Sequence, residues 1–332
     1  MTEYVLRRFL LLVPMLFVIS AAVFFLIQLP PGDFMSTFIA NLEESGIRVS
    51  DEQAAALRRQ YGLDRPAVLQ YAIWIRNIVL EGDWGRSFSW NRPVADVLRE
   101  RIPLTAAVSL ASTLFVFAVA IPIGIFSATH QYSFLDYFFT FFGFIGISIP
   151  PFMLALILMW GVFVLFDWRI GGLLAPEYLD QPWNLAKVGN LLTRIWFPVC
   201  IIGLSGTAGL MRVMRGNLLD ELRKQYVVTA RAKGIPELRV LFYYPVKIAI
   251  NPVISTIGWI LPSIVAGEVL VSIVLNLQTT GPVLFDALMA QDMYLAGGIT
   301  LILSLLVVIG NLVADLLLVW VDPRIRYEGA VE

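Results

Sequence analysis

Leu104–Ala128 reads LTAAVSLASTLFVFAVAIPIGIFSA, 25 residues without an Asp, Glu, Lys or Arg. A helix crosses a hydrocarbon core of roughly 30 Å with about 20 mostly apolar residues, and this stretch has them. Five more meet the same standard: Phe9–Leu29, Phe138–Phe166, Ile195–Val213, Ile248–Leu275 and Leu295–Trp320. The expected fold is an all-α polytopic membrane protein with six transmembrane helices. Composition agrees, since the 332 residues are 58% hydrophobic and only 15% charged, with a mean hydropathy of +0.76. An average soluble domain carries about 25% charged residues and could not cover its surface with so few.

The same arithmetic excludes several functions. A net charge of −1 and a pI near 6.0 leave no global basic field for nucleic acid. The only cysteine, Cys200, and the only histidine, His130, cannot build a disulfide framework, a Cys-rich metal site or most His-based catalysis. Arg7-Arg8 followed by an apolar run imitates a secretory leader. The length of that run, and the Gln28-Leu29-Pro30-Pro31-Gly32 that follows it, instead predict a retained helix. Pro122, Pro150-Pro151, Pro198, Pro252 and Pro262 fall inside the expected spans and predict kinks.

Orientation follows from Lys and Arg in short loops. With a cytoplasmic N-terminus, twelve of the 24 basic residues lie on the inner side, among them Arg7, Arg8, Arg324 and Arg326. The short outer loops hold only Arg169, Lys187 and Arg194. Both termini are therefore expected in the cytoplasm. The expected organisation is residues 1–29 as N-terminus and first span, and 30–103 as a helical extracytoplasmic insertion. A five-helix core over 104–320 with a cytoplasmic loop at 214–247 follows, and then a tail at 321–332. In the insertion, Ser50 reads as an N-cap with Asp51 and Glu52 in the first turn, and the helix should stop at Gly62. A second helix should follow Pro66, before a turn-rich stretch around Gly82 and Gly85 with Trp84, Phe88 and Trp90.

The 214–247 loop is the most informative. Asn217 is expected to cap a helix with Asp220 and Glu221 near its start and Arg231 and Lys233 near its end. Gly234 should break it, and a second short helix should run from Pro236 to about Tyr244. Tyr226, Ala230 and Lys233 share a face at helical spacing. An aromatic knob beside small residues suits a groove on a cytoplasmic partner. A basic amphipathic helix lying on anionic lipid is the other reading of the same spacing.

Tyr226-Val227-Val228-Thr229-Ala230-Arg231-Ala232-Lys233-Gly234 resembles the cytoplasmic coupling motif of ABC importer permeases of the oligopeptide/dipeptide (peptide/opine/nickel) type, the first of the two membrane subunits. Ala230 and Gly234 stand where that family's Glu-Ala-Ala-x-x-x-Gly pattern has its second Ala and its Gly, while Val228 replaces the Glu. Further pieces match in order: Pro31-Gly32-Asp33, Tyr61-Gly62-Leu63-Asp64-Arg65-Pro66, Gly82-Asp83-Trp84-Gly85-Arg86-Ser87, Arg101-Ile102-Pro103-Leu104-Thr105, Ser148-Ile149-Pro150-Pro151-Phe152 and Asp322-Pro323-Arg324-Ile325-Arg326-Tyr327. One region departs from the family. Where many members have Glu-Thr-Val-Phe and then Pro-Gly-Leu-Gly, this chain runs from Ser272 through Gln278-Thr279-Thr280-Gly281-Pro282, in a region expected to face the outer mouth and the substrate.

The resemblance implies a non-catalytic permease subunit of a binding-protein-dependent importer in a bacterial or archaeal plasma membrane. Its partners would be a second, homologous permease, two cytoplasmic ATPase subunits, an extracytoplasmic solute-binding protein and membrane lipid. ATP and Mg would be used by the partner ATPases, this chain binding no cofactor. No Gly-x-x-x-x-Gly-Lys-Ser/Thr loop occurs here, which fits that division. The coupling residues implied are Tyr226, Val227, Thr229, Ala230, Arg231, Ala232, Lys233 and Gly234. The cargo implied is a peptide-like solute, with oligosaccharides, opines or nickel chelates as family alternatives. Polar residues at membrane depth, Ser263, Glu268, Asn311 and Asp315, are candidates for the translocation path or for hydrogen bonds between helices. An ion-gradient-driven secondary transporter is the more distant alternative, although no inverted halves are visible. An intramembrane enzyme is opposed by the lack of Gly-x-Ser-x-Gly and His-Glu-x-x-His.

Overall fold

A computed structural model describes residues 2–29, 34–36, 38–39, 50–60, 62–168, 170–179 and 181–321; some side chains within these helices, including those of residues 2–12 and 314–320, are not described. The tail expected at 321–332 lies outside the described residues apart from its first. Every long element is a helix, and among the described residues the nearest thing to a sheet is one bridge between Arg86 and Pro93.

The chain divides into two compact units. The first comprises residues 1–105 and 279–306. It holds α1 (Thr2–Ile27), α2 (Asp51–Gln60), α3 (Ala67–Glu81) and α12 (Thr280–Met289), with the beginnings of α4 (Val94–Thr129) and α13 (Met293–Val321). The helix α2 starts as its sequence demands. Ser50 Oγ accepts from the Gln53 amide at 3.3 Å, while Gln53 Oε1 accepts from the Ser50 amide at 3.0 Å, a reciprocal capping box. It ends at Gly62, whose φ of +69° only glycine adopts cheaply. Pro66 then precedes α3, which closes at Gly82 with its amide returned to Ile78.

The apolar face of α3 packs on α1: Trp74 stacks on Phe24 with centroids 5.6 Å apart, and the Tyr71 hydroxyl meets Ser20 Oγ at 2.8 Å. The turn after α3 is fastened by a carboxylate at the start of α13. Asp292 is fully buried, and its Oδ2 accepts from Ser87 Oγ (2.6 Å), the Ser89 amide (3.0 Å) and Ser89 Oγ (2.9 Å). Its Oδ1 accepts from the Leu295 amide at 3.2 Å. A buried carboxylate is tolerable only when its lone pairs are filled this way and a helix N-terminus faces it. Part of the Gly82–Ser87 motif is therefore a structural latch.

The second unit comprises residues 106–278 and 307–332. Besides the rest of α4 and α13 it holds α5 (Phe134–Ser148), α6 (Pro151–Phe166), α7 (Leu185–Leu222), α8 (Gln225–Ala232), α9 (Glu237–Tyr243), α10 (Pro245–Ser255) and α11 (Ile257–Val274). Its spine is α7, which packs against α5, α6, α10 and α11. Small residues set the spacing: a Cβ on Gly203 would sit 2.6 Å from a Phe115 ring carbon, and one on Gly124 would sit 2.7 Å from Met214 Cβ. Arg215 on α7 grips Asp136 at the start of α5 through two hydrogen bonds of 3.1 and 2.9 Å. Asp136 is 2% exposed, so this fork holds a desolvated charge.

Three expectations are revised. The third span is not one helix, because α5 and α6 meet at 109°. Ile149 precedes a proline and is held extended (φ −98°, ψ 124°), Pro150 is extended as well, and Pro151 starts a new helix. Two prolines in a row break the chain where one would kink it. The fifth span is likewise interrupted at Thr256, between α10 and α11. Asn217, expected to cap a new helix, lies inside α7, which runs unbroken for 38 residues, roughly 57 Å at 1.5 Å per residue. In addition, α4 begins ten residues before Leu104, at Val94.

Three described helices are long and apolar enough to cross a membrane: Val94–Thr129, Leu185–Leu222 and Met293–Val313. The bent pair α5–α6 makes a fourth if it is one span. The protein is an all-α, multi-pass membrane protein.

Candidate functional site: a cavity and a hairpin on one helix

Past Leu222 the backbone turns at Arg223 and Lys224, and α8 begins at Gln225 without a side-chain cap. Asp220 and Glu221 thus sit at the negative end of α7 rather than at the positive end of a new helix, an arrangement that needs compensation. Glu221 receives it from Lys224 Nζ at 2.6 Å and from the Tyr226 hydroxyl. Burial, then the adjacent Glu221 carboxylate, push the Tyr226 phenol up from its ordinary range.

The helix α8 folds back on α9 across Lys233-Gly234-Ile235, with Gly234 at φ +72°. The hairpin has its own small core of Val227, Ala230 and Val240, with Tyr226, Ile235 and Tyr244 packed around it. Arg231 crosses the break to Glu237, Nη2 to Oε1 at 2.6 Å, which holds the Glu237 carboxyl below its usual range. That pair is exposed on both sides, so it contributes no more than about 1 kcal/mol.

Of the residues singled out in the motif, Thr229, Arg231, Ala232, Lys233 and Gly234 are exposed. Val227 and Ala230 are interior, and Tyr226 is half-buried with its hydroxyl occupied. The small Ala230 lets α9 approach α8, and the outward aromatics are instead Phe242 and Tyr243, 56% and 69% exposed. Spacing alone could not reveal this, because Val240 arrives from beyond the turn.

Higher on α7 lies a cavity of about 550 Å³. Ile202, Ser205, Gly206, Gly209, Arg212 and Val213 line it from α7, a single stripe at helical spacing. Thr256, Ile260 and Ile264 face them at successive i+4 positions, and Ile147 and Pro151 come from the α5–α6 break. The volume falls within the range of small-molecule sites, with apolar walls and few polar groups.

Neither Glu268 nor Asn311 is among the described residues that line this cavity. Glu268 is 2% exposed and accepts from Ser109 Oγ at 3.0 Å, with Ser272 Oγ at 3.4 Å, a helix-to-helix bond. Asn311 Oδ1 is buried with no hydrogen bond among the described residues. The side chains of Ser263 and Asp315 lie outside the described residues. The stripe of small and polar residues ending at Arg212 was the signal available in the sequence.

A second cavity, about 210 Å³, is lined by Trp168, Trp196, Arg194 and the loop at Gly171 and Gly172. That loop explains part of the departure from the family pattern. Gln278 Oε1 accepts from the amides of Leu173 (2.7 Å) and Leu174 (3.4 Å), and the Gly172 amide donates to the Leu275 carbonyl at 2.8 Å. Gln278 therefore anchors a loop, and its presence is no argument about the solute. Among the described residues no group of His, Cys, Asp and Glu is arranged to hold a metal.

Helices of membrane-crossing length beside an apolar cavity define a multi-pass membrane protein. The sequence comparisons place it further. Residues 120–327 match the family of binding-protein-dependent transport system inner membrane components, and residues 1–111 match that family's N-terminal membrane region. The chain belongs to this family, as an ABC importer permease of the oligopeptide/dipeptide type. It is similar to the oligopeptide transport system permease protein AppB of Bacillus subtilis, 35% identical over 329 residues, 98% of this chain and 100% of the relative. It is also similar to a putative peptide permease protein of Brucella suis, 32% identical over 328 residues, 98% of this chain and 99% of the relative. The inner membrane ABC transporter permease protein YejB of Escherichia coli O157:H7 is 29% identical over 367 residues, 99% of this chain and 100% of the relative.

Proposed function

We propose that this chain is the first permease subunit of an ATP-driven peptide importer and that it forms half of the translocation path. It crosses the membrane six times with both ends in the cytoplasm, and the α8–α9 hairpin is the handle that cytoplasmic ATPase subunits grip. A second permease, two ATPases using ATP and Mg, and an extracytoplasmic solute-binding protein complete the transporter. The peptide cargo is supported by the names of the relatives above, oligopeptide for AppB and peptide for the Brucella protein.

One observation carries the mechanism: the cavity and the hairpin share α7. Residues between 202 and 213 line the cavity, and the same unbroken helix ends at Leu222, with two residues between it and the hairpin. The distance from Leu210 to Leu222 is about 18 Å of continuous helix. The Arg215–Asp136 fork lies between them and ties the helix to α5. A displacement of the hairpin is delivered to the cavity wall because a hydrogen-bonded helix does not shorten, and to α5 because a buried charge does not release its partner cheaply. Closure of the ATPases would thus tilt α7 and change which side of the membrane the cavity opens to. Linkage requires that the loaded binding protein favour the same closed state from outside.

The test is uptake into proteoliposomes. With both permeases, the ATPases and the binding protein present, accumulation of an apolar tripeptide is expected only with ATP and Mg inside the ATPase compartment. Omission of the binding protein should reduce it to background. Uptake by this chain alone, driven by a proton gradient, would overturn the reading in favour of a secondary transporter.

A further inference from the structure

Two arginines stand one turn apart on α7, and the structure treats them differently. Arg215 is neutralised by the Asp136 fork. Arg212 lines the cavity, is exposed, and among the described residues has no ion pair or hydrogen bond. Its guanidinium lies over the Phe144 ring, carbon to centroid 5.0 Å, a contact that leaves the charge without a counter-ion. Among the described residues that line it the cavity offers no other charge: they are apolar apart from the Ser205 and Thr256 hydroxyls, and Thr256 already donates to the Val253 carbonyl at 2.6 Å.

A guanidinium at the wall of an otherwise apolar cavity, with no ion pair among the described residues, is available to an anion that enters it. A guanidinium's planar fork matches a carboxylate, because two N–H groups meet two oxygens in parallel. We propose that Arg212 is the receptor for the free carboxylate of the transported solute, and that the aliphatic stripe from Ile202 to Ile264 takes its apolar body. The occupant is thus an apolar peptide with an unblocked C-terminus. This deepens the importer reading and rests on it. The cation lies at the hairpin end of the cavity, about 15 Å along α7 from Ile202, which leaves room for the body of a short peptide beyond the carboxylate.

The experiment compares three forms of one leucine-rich tripeptide in proteoliposomes holding the complete transporter: the free acid, the C-terminal amide and the N-acetylated acid. Each is measured with the wild-type chain, Arg212→Gln and Arg212→Lys. The wild type is expected to prefer the acid over the amide by about tenfold, with N-acetylation making little difference. In Arg212→Gln that preference should collapse to within about twofold, chiefly through loss of acid uptake, while Arg212→Lys keeps only part of it, since an ammonium retains the charge without the parallel pair of N–H groups. The binding protein is the same in every arm, so a change in the ratio belongs to the permease. Equal transport of acid and amide by the wild type would overturn the proposal and leave the importer intact. A ratio unchanged in Arg212→Gln would overturn it, as would equal losses of acid and amide, the pattern of an arginine that only anchors to lipid phosphate or to the partner permease. Absence of ATP-dependent uptake of every form would instead contradict the importer reading itself. Size-exclusion profiles of the assembled variants separate these outcomes from failure to fold.

Discussion

Gly209→Trp is expected to reduce ATP-dependent uptake by about tenfold or more while leaving insertion and assembly of the complex intact. Gly209 lies on the cavity-lining stripe of α7, and a Cβ built there meets nothing within 4 Å. A side chain there therefore starts without a clash among the described residues, and replacing glycine inside a helix removes a propensity cost of up to about 1 kcal/mol. What changes is the volume available to a solute. Gly189→Trp is the control: the same substitution on the same helix, again with nothing within 4 Å, at an exposed position that does not line the cavity. It should transport at close to the wild-type rate. Equal effects at both positions would mean that bulk on α7, and not occupancy of the cavity, limits transport. An unimpaired Gly209→Trp protein would remove this cavity from the path.

The second large effect is expected at Gly234. Its φ of +72° places it in the left-handed region, yet a Cβ at this position would meet no neighbour within 4 Å, so a substitution is penalised by the backbone alone. An L-residue there costs roughly 1–2 kcal/mol, more when it is β-branched. Gly234→Val should open the turn, separate Val240 from Val227 and Ala230, and lower uptake by about an order of magnitude. Gly234→Asn should retain most activity, because asparagine tolerates the left-handed region several-fold better than other side chains. Uptake and limited proteolysis of the hairpin, measured on the pair, check the argument. If Asn and Val fail alike, the position matters for contact with a partner and not for backbone geometry.

Much of this molecule was legible locally. Ser50, Gly62 and Pro66 marked the ends of α2 and the start of α3, and Gly234 with Pro236 marked the hairpin break, because caps and breakers act within a few residues. The family resemblance was legible too, since it rested on many short motifs in a fixed order, and both matched regions agree with it. What the sequence hid was non-local. The Asp292 latch joins residues more than 200 apart, and neither Ser87 nor Asp292 announces the other. Ala230 looks like open surface in the sequence because its cover, Val240, sits on the next helix. Asn217 looks like a cap in the sequence because its residue type favours one. The chain continues helical there, with Arg215 beside it anchored to Asp136. Pro150-Pro151 gave the right place for a distortion and the wrong size, since two prolines in a row hold both preceding residues, Ile149 and Pro150, out of the helical region. The cavity was visible only as spacing on α7, and the polar residues at membrane depth drew attention elsewhere. Glu268 shows why: a buried carboxylate can be spent on a serine of a neighbouring helix.

The central claim is that the exposed face of the α8–α9 hairpin is held by an ATPase in the cytoplasm. Val228 and Lys233 lie on that face, while Val227 lies beneath it. Photo-crosslinking side chains placed at 228, 233 and 227 in intact cells test the claim most directly. Positions 228 and 233 should capture an ATP-hydrolysing subunit, in yields that change when nucleotide is trapped, and 227 should capture nothing beyond this chain. Capture of lipid alone from 228 and 233, with no ATPase in any nucleotide state, would contradict the account.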